Sequence, residues 1–417
     1  MAVLHPFKGI IPALSQVNEV VSRPFDSYTM KQVESVIKKT PNSFLSIIKP
    51  ELEQGKRTKP DNPEAQRESR KKFQAFVNDG VLETSSKEVY YVYRQMRPDF
   101  KYTGILATIA ASNYHNGTIK IHEQTLQKKE EKLKDYLRVV GINAEPVMFT
   151  YPHVHAIDEL VNSIANQKPY ADFEMEGKRH LLWEVNDDTL ISEIKHQFEG
   201  VERVYLADGH HRSASSVLLS EELAKEKNDY SDNAPWSRFL GVFFPDHNMQ
   251  LLEFNRLVKG LDVVDSLDIL QKLSSDFDVQ LVHEDFYQPH APLEFSLYVD
   301  HQWYSLKLKH SQINDQLSEK LDAILLTQRI LSPLFGIEDL RNDDRVGFTS
   351  GLKGPAELKR LVDKGDYQLA FGLFPVRMEQ FFEFSDKGRI MPPKTTWFEP
   401  KLLNGLVIYD IYPEQHS

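Results

Sequence analysis

The sequence predicts an α/β fold, a mixed sheet with flanking helices, and three observations carry that expectation. Strand-like and helix-like segments alternate through the middle of the chain, the pattern of a layered α/β protein. The stretch Val204-Tyr205-Leu206-Ala207 runs into Asp208-Gly209 and restarts as a helix, with Ala214, Val217 and Leu218 on one apolar face. Hairpin signals toward both ends make the sheet mixed rather than purely parallel.

In chain order, residues 7–14 read as a strand, 23–26 as a loop, and 29–39 as a helix opened by Thr29. Residues 51–69 are charged and carry Pro60 and Pro63, an exposed loop leading into a helix at 64–78 that Asn78-Asp79-Gly80 stops. Lys56, Arg57 and Lys59 within it read as solvated surface, contact with an acidic ligand being the alternative. The β-branched and aromatic run 89–93 predicts a strand, 103–111 a second, and Asn116-Gly117 a hairpin-type turn. Residues 118–121 alternate as a partly buried strand and deliver His122-Glu123-Gln124-Thr125 to its end.

A charged helix follows at 126–140, with Leu133, Tyr136, Leu137 and Val140 on one face and Gly141 as its stop. Next come a strand at 146–150, a helix at 157–166, and a two-stranded excursion at 168–185 around Glu176-Gly177. A helix at 189–198, the Asp208 turn and a strand at 239–244 complete the middle. Composition changes from residue 246. There the pattern predicts a helix at 263–277, a hairpin of 294–299 and 302–308, and an apolar helix at 321–334. Strand ends at 347–351 and 370–375 flank a helix at 355–364. Pro392 and Pro393 make the stretch before Lys394-Thr395 an ordered loop. These shifts divide the chain into 1–115, 116–245 and 246–417.

Composition excludes several chemistries. Cysteine is absent, which removes disulfides, thiolate catalysis and zinc–thiolate sites. A net charge of −11 argues against broad non-specific nucleic-acid binding. The start lacks the apolar core of a signal peptide and no long apolar run occurs, so neither secretion nor a membrane span is expected. The expected setting is the cytoplasm.

A strand that breaks at Asp-Gly and restarts as a helix leaves backbone N–H groups unpaired at an end carrying partial positive charge, where an anion is stabilised. Arg212 adds a fixed fork of donors, and His210 and His211 add imidazoles able to charge near neutral pH. Asp208, a carboxylate beside an anion site, suits a divalent cation that bridges to phosphate. A common Asp-Gly turn followed by a solvated helix start remains the alternative. The second polar knot, 122–125, also stands at a strand end opening into a helix, where open α/β sheets place ligands. If both strands share one sheet, Glu123 can take a proton from an attacking hydroxyl while the turn holds a phosphoryl group. By itself Glu123 fits a carboxylate at a helix start better than a base. The pair His153 and His155 could share a strand face, but no further metal ligands are readable and packing histidines fit better.

With both knots in view, the chain resembles the bacterial domain-of-unknown-function 1015 family over nearly its whole length. The landmarks are Tyr91-Val92-Tyr93-Arg94-Gln95 and the stretches 119–125, 145–151, 207–212 and 391–401. The Asp-Gly-His-His-Arg pentad also resembles that of free-serine kinases with a ParB/sulfiredoxin-like fold, which pair it with an upstream His-Glu. That resemblance implies a ParB/sulfiredoxin-like core at 116–245 with α+β elaborations. It also implies phosphoryl transfer with Mg²⁺ from pyrophosphate or an adenine nucleotide (ADP or ATP) to free L-serine, giving O-phosphoserine. Glu123 would be the base and Asp208 the catalytic and metal-holding carboxylate, with Gly209, His210, His211 and Arg212 cradling the donor. His122, Thr125, Lys394 and Thr395 are candidate substrate or loop contacts. The spacing from Glu123 to Asp208 exceeds that of the compact kinases, and 168–185 reads as the insertion. A nucleotide-binding switch without turnover and a phosphoserine hydrolase are the alternatives.

Overall fold

The computed structural model describes residues 1–55, 62–262, 264–313, 321–340 and 342–413, so the Lys56, Arg57 and Lys59 group lies outside the described residues. The chain divides into two compact units, residues 1–249 with 400–417, and residues 250–399. Among the described residues no helix is long and apolar enough to cross a membrane.

The first unit is built on a mixed nine-stranded sheet. Its strands are β1 (Leu4–His5), β2 (Tyr90–Met96), β3 (Lys101–Ala110), β4 (Ile119–Lys120) and β5 (Val147–Tyr151). They continue with β6 (Ala171–Met175), β7 (Lys178–Val185), β8 (Val204–Asp208) and β9 (Arg238–Pro245). The order is β4-β8-β5-β9-β3-β2-β7-β6, with β1 paired to β3. The β4/β8 and β5/β9 pairs are parallel and the others antiparallel. β-Branched and aromatic residues fill the central strands, where both faces are covered; β5 is buried along its whole length, the Phe149 and Phe243 rings stack at 4.8 Å, and the edge strand β6 alternates buried and exposed.

Local chemistry sets the helix ends. Thr29 and Gln32 form a reciprocal capping box, with Gln32 Oε1 accepting the Thr29 N–H at 2.7 Å. Gly141, at φ 74°, ends the helix Gln127–Val140 in the left-handed conformation that glycine adopts without strain. That helix packs along His210–Lys227, where Arg138 reaches Glu222 at 2.9 Å and Glu226 at 2.6 Å.

Three expectations are corrected here. Asn116-Gly117 does not turn a hairpin, because β4 pairs parallel with β8 rather than antiparallel with β3. Residues 168–185 are no appendage: β7 pairs with β2 over seven positions and so carries one flank of the main sheet. A division at 115/116 falls inside that sheet, since β3 pairs with β9 from beyond it. The division found at 249/250 lies close to the expected change at 246, but residues 400–417 return to the first unit. There Tyr409–Asp410 pairs with Ile142–Asn143, and the buried Asp410 carboxylate meets Arg70 at 2.9 and 3.1 Å.

The second unit has a seven-stranded antiparallel sheet formed by β10 (Gln250–Val258), β11 (Phe277–Val282), β12 (Glu294–Val299), β13 (Gln302–Leu308), β14 (Val346–Ser350), β15 (Leu369–Gly372) and β16 (Thr396–Glu399). Its order is β11-β13-β12-β15-β10-β14, with β16 on β10. The expected helix 263–277 shortens to Ser266–Leu273, capped by Asp265, and gives way to β11. The expected 321–334 helix widens at Thr327–Leu331 into a π-type turn.

Candidate functional site

Because β4 and β8 are parallel neighbours, pairing Ile119 with Val204 and Lys120 with Tyr205, their C-terminal ends open at one sheet edge. The two polar knots therefore share that edge. Asp208 ends β8, and the pairing of β8 with β5 shifts register between Leu206 and Asp208, which re-aims the strand end. Gly209, at φ 100°, reverses the chain into the helix His210–Lys227. A side chain there would be strained, and its Cβ would stand 3.1 Å from the Arg212 guanidinium. Among the described residues no side chain caps this helix end, which leaves its first amides open to an anion.

Arg212 is fixed from behind. Its Nη1 donates to the carbonyls of Glu145 (3.1 Å) and Pro146 (2.7 Å) and pairs with Glu145 Oε1 at 2.9 Å. Its Nη2 is 3.9 Å from Asp208 Oδ1. Lys401, from the returning C-terminal segment, donates to Asp208 Oδ2 at 2.9 Å. Burial pushes the Asp208 carboxyl up, but Lys401 and Arg212 outweigh it and hold the group at about 2. Burial raises the Glu145 carboxyl, with Arg212 opposing.

The imidazoles depart from expectation. His122 and His210 are both buried, with ring centroids 4.5 Å apart and edge to face. Burial holds His122 down at about 4, although a hydrogen bond to the Leu206 backbone and the Asp208 charge favour its protonated form. Burial and the neighbouring His122 push His210 well below its ordinary value. His211, partly buried, is also lowered, by burial and Lys129. Burial thus disfavours the charged form of all three imidazoles. His210 Nε2 and His211 Nδ1 are buried nitrogens with no hydrogen-bond partner among the described residues.

Glu123 lies in the loop after β4, its Oε2 4.0 Å from His210 Nδ1, a polar rather than ionic contact because His210 is neutral. It is not a helix-start carboxylate, since the next helix begins at Gln127 with Leu126 at its cap. Thr125 is partly buried in the same loop. Lys394 and Thr395 belong to the second unit. There the Lys394 ammonium lies 5.0 Å from the Phe254 ring centroid, and Thr395 donates to the Pro392 carbonyl at 2.7 Å. Sequence reasoning missed Glu145 and Lys401 as site residues. Both stand at the ends of stretches noted for their resemblance, but neither has a local pattern that announces its contact with Arg212 or Asp208.

A cavity of about 360 Å³ borders Arg212 and Glu145. Its wall is largely apolar, including Phe25, Phe44, Leu133 and Tyr136. This volume lies within the range of small-molecule sites.

A family model described as a protein of unknown function, DUF1015, matches residues 4–324. No curated protein matches the sequence. Among solved structures, a free serine kinase in complex with AMP is similar at TM-score 0.37 and 15% identity, over 75% of this chain and 93% of that one. A conserved hypothetical protein from Pyrococcus furiosus gives TM-score 0.35 and 14% identity, over 75% and 97%. SbnI from Staphylococcus aureus with a C-terminal truncation gives 0.36 and 12%, over 72% and 85%.

Proposed function

Because the chain belongs to the DUF1015 family, whose function is unknown, we propose an activity from the site itself: phosphoryl transfer to a small hydroxyl-bearing metabolite, with free L-serine the leading acceptor. One observation carries this reading. Glu123 and the Asp208–Arg212 turn stand at the ends of parallel neighbouring strands, with 4.0 Å between Glu123 Oε2 and His210 Nδ1.

In this reading the serine hydroxyl gives its proton to the Glu123 carboxylate as its oxygen attacks the terminal phosphorus of the donor. The bond from that phosphorus to the donor's bridging oxygen breaks, and the remainder of the donor (ADP from ATP, AMP from ADP, or phosphate from pyrophosphate) leaves with the electron pair. Arg212, Lys401 and the amides at the start of His210–Lys227 stabilise the charge, and neutral His210 and His211 add hydrogen bonds. Asp208 fits a Mg²⁺ ion as a single protein ligand. Its carboxyl stays ionised, Lys401 takes Oδ2, and Oδ1 is 3.9 Å from the nearest Arg212 nitrogen. One carboxylate plus donor phosphates is an ordinary Mg²⁺ environment, and the ion would neutralise phosphate charge when bound.

The apolar cavity that shares Arg212 and Glu145 with the cradle favours an adenine nucleotide over bare pyrophosphate as donor. The cytoplasm is the compartment this activity fits.

The test is to incubate the protein with Mg²⁺, L-serine and, in turn, ATP, ADP and pyrophosphate, following phosphorus species by NMR. Phosphoserine should form, and Glu123→Gln should slow it by roughly 100-fold or more, the usual worth of a general base. Asp208→Asn should abolish it. Donor binding without product would point to a regulatory switch. Phosphate release from phosphoserine without a donor would point to hydrolysis. Either result would overturn the kinase reading.

A further inference from the structure

The paired histidines at 153 and 155 lack readable ligand partners in the sequence, and the fold supplies them to one of the two. His153 follows β5 and His247 follows β9, and these strands are parallel neighbours with Tyr151 paired to Pro245. Both rings therefore leave the sheet at one edge. Since β8 runs antiparallel to β5, this edge is opposite the one that carries Asp208. Asp158, in the first turn of the helix His155–Ala165, reaches the same point.

The contacts converge on one oxygen. Asp158 Oδ2 lies 3.0 Å from His153 Nε2 and 3.1 Å from His247 Nε2, and the two rings stand 4.9 Å apart at 89°. All three ligand atoms fall within 4.8 Å of one another. Metal–ligand bonds of about 2.0–2.2 Å place neighbouring donors of a tetrahedral ion about 3.3 Å apart, close to the two distances from Asp158 to the imidazoles.

We propose that His153, Asp158 and His247 bind a first-row divalent transition-metal ion, Zn²⁺ foremost. Two imidazoles and one carboxylate suit such ions, whereas Mg²⁺ and Ca²⁺ prefer all-oxygen sites. The surroundings agree. Asn248 Nδ2 stands 3.1 Å from His247 Nε2, and a bound ion would replace it as the partner of that nitrogen's lone pair. Asp246 Oδ1, 3.7 Å from His247 Nδ1, sits where a carboxylate orients a metal-bound imidazole. The His153 and His247 side chains are 48% and 49% exposed, so water or a further ligand completes the coordination. His155 pairs with Glu159 at 3.3 Å and stays outside the set.

The experiment uses the full chain, stripped with a chelator and desalted. Co²⁺ is titrated and its visible d–d absorption followed, and Zn²⁺ is measured by calorimetry. One equivalent should bind. His153→Ala and His247→Ala should each weaken binding by roughly 100-fold or more, at or above the cost of losing an orienting partner. His155→Ala should leave it unchanged. Zn²⁺ should raise the Tm of the wild type but not of the double histidine variant, whose circular dichroism reports that it is folded. Absence of stoichiometric binding, or binding that survives loss of both histidines, would overturn the proposal.

Discussion

Replacing Lys401 by methionine keeps the apolar stem and removes the charge that sits 2.9 Å from Asp208 Oδ2. Two unit charges about 4 Å apart interact by about 1 kcal/mol in water and about 4 kcal/mol at the effective dielectric of a protein surface site. The Asp208 side chain is 41% exposed, so screening brings the pair toward the lower figure, roughly 1–2 kcal/mol. A change of that size raises the proton affinity of the carboxyl about tenfold. The sign follows from linkage. The folded carboxyl, held at about 2, lies below its ordinary value of 3.8. The pair therefore stabilises the fold above the ordinary carboxylate range, and that stability is lost as pH falls toward about 2. Lys401→Met should thus be less stable than wild type by ~1 kcal/mol at neutral pH, with the gap closing in acid. Urea denaturation across pH measures the gap, and a ¹³C carboxyl titration of Asp208 measures its cause. Equal stability at neutral pH, or a gap that persists unchanged into acid, would refute the reasoning.

Three further outcomes follow from other parts of the molecule. Gly209→Ala forces an L-residue to φ 100° and brings a Cβ against Arg212, so it should cost about 1–2 kcal/mol in urea denaturation and weaken phosphate binding; wild-type stability would contradict this. Asp410→Ala leaves Arg70 buried without its bidentate partner and should destabilise the first unit by about 3–5 kcal/mol, read as a lowered denaturation midpoint. Asp322 is buried in the second unit, and burial pushes its carboxyl up to about 7, with backbone hydrogen bonds from Leu293 and Phe374 opposing. The folded state then binds more protons than the unfolded state, whose carboxyl titrates near 3.8, so stability is lost as pH rises between those values. Asp322→Asn should remove a penalty of up to ~4 kcal/mol at alkaline pH and flatten the pH dependence of Tm; an unchanged profile would count against it.

Much of the local structure was legible in the residues themselves. Thr29, Gly141 and the Asp208-Gly209 turn each act through a few adjacent backbone groups, so their hydrogen bonds and allowed φ values follow from neighbours in the chain. Strand β10 was not legible. Its Glu253, Asn255 and Arg256 are buried, and polar interior residues erase the apolar pattern that marks a strand.

By itself the sequence determined the α/β class, the strand–turn–helix at 204–227 and the two polar knots. Only the tertiary structure decided that β4 lies parallel beside β8, which brings Glu123 to His210. It also set Lys401 on Asp208 from 193 positions further along, and gathered His153, Asp158 and His247 around one carboxylate oxygen. By burying His210 and partly burying His211 it disfavours the charge expected of those imidazoles. The physical reason is the range of the forces involved. Turns and caps are settled by bonds between near neighbours, whereas strand pairing, desolvation and charge contact depend on which distant segments the packed core brings together.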